Sequence, residues 1–233
     1  MKTVIIVQAR MTSTRLPGKV LMEVRGKPLL EYQIERLSRV QLVDALVIAT
    51  TVNDTDQPIV DLCRRLGISY FRGSEDDVLS RYYHAALEQA ADTVVRITAD
   101  CPLVDPTVVD DVIRFYRDHF PSYDYVANIL ERTYPRGMDT EVFSFQALEK
   151  AHHKAEAPYQ REHVTPFINS QPQRFCLGNV RHHEDLSSHR WTVDTIEDFE
   201  LVQRVIDMLY TISPFFSIRD IVRTLEKIPM APH

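Results

Sequence analysis

Gln8-Ala9-Arg10-Met11-Thr12-Ser13-Thr14-Arg15-Leu16-Pro17-Gly18-Lys19 lies between an apolar strand and a helix, and its reading decides the fold. Before it runs Thr3-Val4-Ile5-Ile6-Val7, a short β-branched segment of the kind buried in parallel sheets. After it come Pro28, set for the first turn of a helix, and Leu29, Leu30, Ile34 and Leu37 at helical spacing. Between the two elements stand the cations Arg10, Arg15 and Lys19 and the hydroxyls Thr12, Ser13 and Thr14. Such a loop is either an anion site or a solvated basic turn. A buried strand aims it at a fixed point, which favours phosphate.

Working outward, the first half alternates strand and helix. Ala45–Thr50 and Thr93–Thr98 read as apolar strands, and Ser69-Tyr70-Phe71 as a shorter one. The helix with Ile59, Leu62, Cys63 and Leu66 on one face stops at Gly67. Ser74 is placed to cap the next, with Asp77 three residues on and Val78, Tyr82, Ala86 and Ala90 on one side. Asp105-Pro106 opens another, whose stripe is Val108, Val112 and Phe115. Strands separated by helices imply right-handed crossovers and a mostly parallel sheet. In the order 3-2-1-4 the reversal falls between strands 1 and 4, where such sheets bind ligands. That order brings the basic loop beside Ala99-Asp100-Cys101-Pro102.

Composition narrows the class. The chain has 233 residues, 44% hydrophobic and 26% charged, which is ordinary globular usage for one well-buried α/β domain. A net charge of −6 argues against a dedicated nucleic-acid binder. No apolar run approaches the roughly 20 residues that span a bilayer, and Met1-Lys2 leads straight into a strand, so no membrane partner and a cytoplasmic setting are expected. Cys63, Cys101 and Cys176 lack CxxC spacing and suggest neither disulfides nor zinc.

Asp100 follows a strand of valines and isoleucines, at a half-sheltered strand end. Its plainer role is a turn or cap aspartate, although Asp105 is the better cap. A cationic loop facing an isolated carboxylate suits a magnesium–triphosphate complex, with the carboxylate on the hard cation and the cations on phosphate oxygens. Asp194 repeats the pattern. Trp191 and Val193 alternate before it as a strand would, and Thr195 with Asp198 forms a capping box for the helix carrying Ile196, Phe199, Val202, Ile206 and Leu209. With Thr195 as the cap, Asp194 is free to share one Mg²⁺ with Asp100.

These residues carry a resemblance. Ala9-Arg10-x-x-Ser13-x-Arg15-x-Pro17-Gly18-Lys19 resembles the signature loop of the CMP-sugar-acid synthetases, such as the CMP-Kdo and CMP-N-acylneuraminate enzymes. With Ser74–Leu79, Arg96–Leu103, Arg136–Glu141 and Val193–Asp198, the chain is more similar to cytidylyltransferases of the spore-coat polysaccharide biosynthesis protein F type. The resemblance implies an α/β, Rossmann-like (GT-A-like) nucleotidyltransferase sandwich of three layers with a mostly parallel sheet. It implies CTP as donor and Mg²⁺ as cofactor on Asp100 and Asp194. Lys19, Arg15 and Asp100 would be catalytic, and Ala9, Arg10, Ser13, Arg15, Lys19, Ser74, Asp77, Thr98 and Ala99 would bind the nucleotide. Gln8 and Val20 stand where the Kdo enzymes carry prolines, which points away from Kdo synthetase itself and leaves the acceptor open. Enzymes acting on sugar phosphates usually hold phosphate with a glycine-rich loop; here Gly18 is the loop's one glycine, so side chains must do more of the binding.

Residues 1–233 read as a single domain with an inserted acceptor-binding and dimer-forming region around 129–190, where strand–helix alternation weakens. From Glu131 to Arg190 it carries eight basic and eight acidic residues and six of the nine histidines. An ordinary polar surface excursion is the alternative. His152-His153 and His182-His183 lack the spacing of a helical metal pair. Arg136, Asp139 and Glu141 around Gly137, and Gln160, Arg161 and His163 on the following helix, are the candidates for binding a small acidic acceptor; structural ion pairs are the competing use. A homodimer is expected. A glycosyltransferase is a second reading, weakened by the lack of a D-x-D pair at Asp100-Cys101-Pro102, and a nucleotide-sensing module without turnover is a third.

Overall fold

The computed structural model describes residues 1–227. In chain order the first half contains β1 (Thr3–Gln8), the two-residue strands β2 (Glu23–Val24) and β3 (Lys27–Pro28), α1 (Leu29–Leu37), β4 (Ala45–Thr51), α2 (Gln57–Leu66), β5 (Ser69–Gly73), α3 (Val78–Glu88), β6 (Thr93–Thr98) and α4 (Pro106–Asp118). The second half adds β7 (Tyr125–Ala127), β8 (Glu141–Ser144), α5 (Phe145–Lys154), α6 (Pro158–His163), α7 (Pro166–Asn169), β9 (Leu177–Asn179), α8 (Ile196–Leu209) and α9 (Ile218–Leu225).

The main sheet runs β5-β4-β1-β6-β8-β7-β9. Its first four strands pair in parallel, and β8 alone runs against its neighbours. The expected order 3-2-1-4 is therefore present as β5-β4-β1-β6. β1 lies at its centre because Val4 to Val7 are fully buried and alternate between two cores. Ile5 and Val7 pack among the side chains of α1, α2 and α4, and Val4 and Ile6 among those of α3 and α5. Each such side chain contributes about 1.5–3 kcal/mol of burial, which anchors the strand end that launches the basic loop. A third core gathers Val24, Leu29, Trp191, Val193 and the inner faces of α8 and α9.

The region around 129–190 gives the main sheet β8, which lies between β6 and β7, and β9 at its edge, together with α5, α6 and α7. Two local expectations change. The N-cap of α3 is Asp77, whose carboxylate accepts from the Ser80 N–H, while Ser74 Oγ accepts from the Asp77 N–H. Trp191 to Val193 form an extended strap rather than a strand, joined to the rest by an isolated bridge between Arg136 and Arg190. Among the described residues no helix is long and apolar enough to cross a membrane.

Candidate active site

β1 and β6 lie side by side in register, with Gln8 opposite Thr98, so their following loops leave the same end of the sheet. The first loop is held at both ends. Asp56, fully buried, accepts from the Met11 N–H at 2.8 Å and from Thr50 and Thr51 beneath it. The Gly18 N–H closes the loop onto the Met11 carbonyl at 2.8 Å, and the φ of +73° at Gly18 is one that glycine adopts without strain. Lys19 then begins a short 3₁₀ turn, which directs its side chain across the sheet end.

Lys19 meets both carboxylates. Its Nζ donates to the Val193 carbonyl at 2.7 Å and to Asp194 Oδ1 at 2.8 Å, and stands 3.7 Å from Asp100 Oδ2. Arg15 reaches the same Asp194 oxygen at 2.9 Å, and Arg190 pairs with the other. Burial would raise the Asp194 carboxyl, but the Lys19 hydrogen bond and charge, with Arg15 and Arg190, hold it below the usual carboxylate range. Asp100 accepts from the Thr98 hydroxyl.

Asp194 arrives at this point by long-range bracing. The Val193 N–H bonds the Asp100 carbonyl at 2.9 Å, and Asp198 accepts from the Asp194 and Thr195 N–H groups at 2.9 and 3.0 Å within the expected capping box. Gly137 lets the chain pass against Trp191. Its φ is +106°, and a Cβ there would lie 3.0 Å from the Trp191 carbonyl carbon.

The cleft over these groups has a volume of about 330 Å³. Of the residues expected to bind nucleotide, Ala9, Arg10, Ser13, Arg15, Lys19, Thr98 and Ala99 line it, with Asp100 and Asp194. Asp77 instead faces a neighbouring hollow, bordered by Arg10 and Glu162, where it forms an ion pair with Arg161. Ser74 lines neither hollow. On the acceptor side, His163 lines the cleft and Gln160 shares its helix. Arg161 is engaged by Asp77 and the His152 carbonyl. Asp139 pairs with Arg132, and Arg136 bonds the strap through its backbone. Glu141, 3% exposed, uses one oxygen on Arg96 and the other on the Tyr125 hydroxyl, so both are turned into the sheet. Asp56, Gln8, Val78, Arg81 and Glu162 were not singled out as site residues from sequence; the paired threonines before Asp56 were its available signal.

Two carboxylates within reach of one ammonium can also share one divalent cation. Mg²⁺ commonly takes one or two carboxylates and fills its octahedron with water and phosphate oxygens. The donor set therefore fits such an ion without a third side chain, and among the described residues no group of three or more His, Cys, Asp or Glu offers an alternative site.

A mostly parallel sheet that presents Arg15 and Lys19 beside Asp100 and Asp194 at its switch point is an arrangement suited to nucleotidyl transfer. Residues 4–228 match the cytidylyltransferase family, to which the chain belongs, and it is a CTP-dependent nucleotidyltransferase. The uncharacterized protein MJ1063 of Methanocaldococcus jannaschii is 39% identical over 236 residues, covering 98% of this chain and 92% of its own length. Spore coat polysaccharide biosynthesis protein SpsF of Bacillus subtilis is 33% identical over 205 residues, 85% of this chain and 83% of its own. The solved structure of a cytidylyltransferase from Leptospira borgpetersenii is 35% identical and superposes with a TM-score of 0.93 over 97% of this chain and 94% of its own.

Proposed function

We propose that the protein transfers the cytidylyl group of CTP to an oxygen of a small sugar acid and releases pyrophosphate, with Mg²⁺ on Asp100 and Asp194. One observation carries this reading: Lys19 Nζ lies 2.8 Å from Asp194 and 3.7 Å from Asp100, with Arg15 on the same Asp194 oxygen. Two carboxylates for a metal thus stand beside two cations for phosphate.

The acceptor oxygen forms its bond to the α-phosphorus as the bridge to the β-phosphate breaks, and the electron pair leaves with pyrophosphate. Lys19 and Arg15 offset the charge that grows on this leaving group, where preorganised cations act most strongly. Arg10 and Ser13 hold the triphosphate in line, and positioning supplies much of the rate. Asp100 and Asp194 would hold the Mg²⁺, which would supply Lewis-acid polarisation of the α-phosphate. His163, which lines the cleft, orients the acceptor or takes its proton in this reading. Gln160 joins it from the same helix, and Arg161, Arg136, Asp139 and Glu141 support that side through the pairs described. A cytoplasmic homodimer is part of this reading, and sedimentation of the purified protein tests the dimer.

The decisive experiment measures pyrophosphate release from CTP, UTP, ATP and GTP with Mg²⁺ against a panel of sugar acids. Release from CTP with one acid is the expected result. No release with any pair, or transfer from a nucleotide sugar without pyrophosphate, refutes the proposal.

A further inference from the structure

Arg81 sits on α3 with 2% of its surface exposed, and its Nε and Nη1 have no hydrogen-bond partner. No carboxylate among the described residues lies within ion-pair distance of it. Burial, aided by the like charge of Arg10, holds its pKa below the usual arginine value. A buried guanidinium left unpaired costs stability, so its retention calls for a partner that the protein alone does not supply. The fold makes room for it: a Cβ on Gly73 would lie 3.2 Å from Arg81 Cγ.

Arg81 lines the cleft, and so does Gln8, whose Oε1 is likewise buried and unpaired. Ala9, Val20 and Val78 add apolar wall. An unpaired carbonyl would repel phosphate oxygens, so an acceptor and donors together suit a mixed hydrogen-bonding edge. This separates the pair from Lys19 and Arg15, which are cations alone.

We propose that Gln8 and Arg81 read the nucleobase, Gln8 Oε1 accepting from an exocyclic amine and the Arg81 guanidinium donating to the adjacent ring nitrogen and carbonyl oxygen. Cytosine presents donor, acceptor, acceptor in that order. Uracil places an N–H at the middle position, adenine lacks the second acceptor, and guanine turns two donors toward Arg81. The inference rests on the nucleotide reading of the cleft and names the side chains that would make it selective for CTP.

Calorimetric binding of CTP and of UTP, with Mg²⁺, to the wild type, Arg81→Met and Gln8→Leu tests this. The wild type is expected to prefer CTP. Each variant should lose about tenfold or more in CTP affinity, the scale of a lost hydrogen bond to a charged or buried group, with UTP little changed. Arg81→Met should also melt at a higher temperature than the wild type without nucleotide, because a buried unpaired charge has been removed. Equal losses for CTP and UTP would show a phosphate contact and overturn the inference. An unchanged preference in Gln8→Leu, or a lower melting temperature or failure to fold for Arg81→Met, would overturn it too. A wild type that binds neither nucleotide overturns the nucleotide reading itself, a separate outcome.

Discussion

Lys19 and Asp194, 175 positions apart in the chain, meet through a 2.8 Å hydrogen bond that joins the first loop to the start of α8. Both side chains are mostly sheltered, and the same ammonium stands 3.7 Å from Asp100. A group in this position can neutralise charge that appears only during reaction. Lys19→Ala is expected to lower kcat/KM for cytidylyl transfer by about 10²–10³, the cost of removing one preorganised donor. Steady-state pyrophosphate release with the matched acceptor measures it, and a loss below threefold would contradict the role.

The same contact sets a pH signature. Burial pushes the Asp194 carboxyl up, and Lys19, Arg15 and Arg190 more than offset this, so its folded value is depressed. A depressed carboxyl binds its proton less readily folded than unfolded. Its contribution to stability is therefore complete above the ordinary carboxylate range and is lost as pH falls through the folded value. The stability difference between the wild type and Asp194→Asn should be constant from neutral pH down to about 5, then shrink below about 4. Urea titrations across pH measure this difference. In Lys19→Met the onset should stay the same, set by the unfolded carboxyl, while the total loss is smaller and is complete at higher pH; an identical profile in both backgrounds would exclude Lys19 as a cause.

Glu141 is tied to Arg96 beneath the sheet end, with Tyr125 on its second oxygen. Removing it strands a buried guanidinium, which costs about 3–5 kcal/mol. Glu141→Ala should therefore unfold at much lower urea, and Glu141→Gln should recover part of the loss. If Glu141→Ala keeps wild-type stability and raises only the acceptor KM, Glu141 contacts the acceptor instead.

Much of the frame was legible in sequence because its signals are local. The β-branched run of β1, Gly67 after α2, Asp105-Pro106 before α4 and the box at Thr195 each depend on residues within a few positions. The first loop was legible for the same reason. What was not legible depends on distant partners. Arg81 falls between Ser80 and Tyr82 like any helix-surface arginine, and its burial comes from tertiary packing, including the close approach of its side chain to Gly73 on β5. Glu141 enters a strand at a spacing that does not reveal burial on both faces. The alternation of Trp191 and Val193 matches a strand, yet their backbone is held by Arg136 and Asp100 rather than by a ladder.

Gly137 holds the strap that carries Asp194, and its loss should affect activity more than a glycine substitution usually does. The φ of +106° lies in a region that disfavours L side chains, and an added Cβ would stand 3.0 Å from the carbonyl carbon and 3.1 Å from the oxygen of Trp191. Backbone has no flexible end to move aside, so the strap must shift and Asp194 with it. Gly137→Ala should cost about 1–3 kcal/mol and lower kcat/KM at least as strongly as Lys19→Ala. Gly67→Ala is the control. Its φ of +67° carries a similar left-handed penalty of about 1–2 kcal/mol, but nothing lies within 4 Å of the added carbon. It should lower the melting temperature while leaving kcat/KM unchanged. If both variants lose stability alone and keep activity, the approach of Gly137 to Trp191 does not position Asp194.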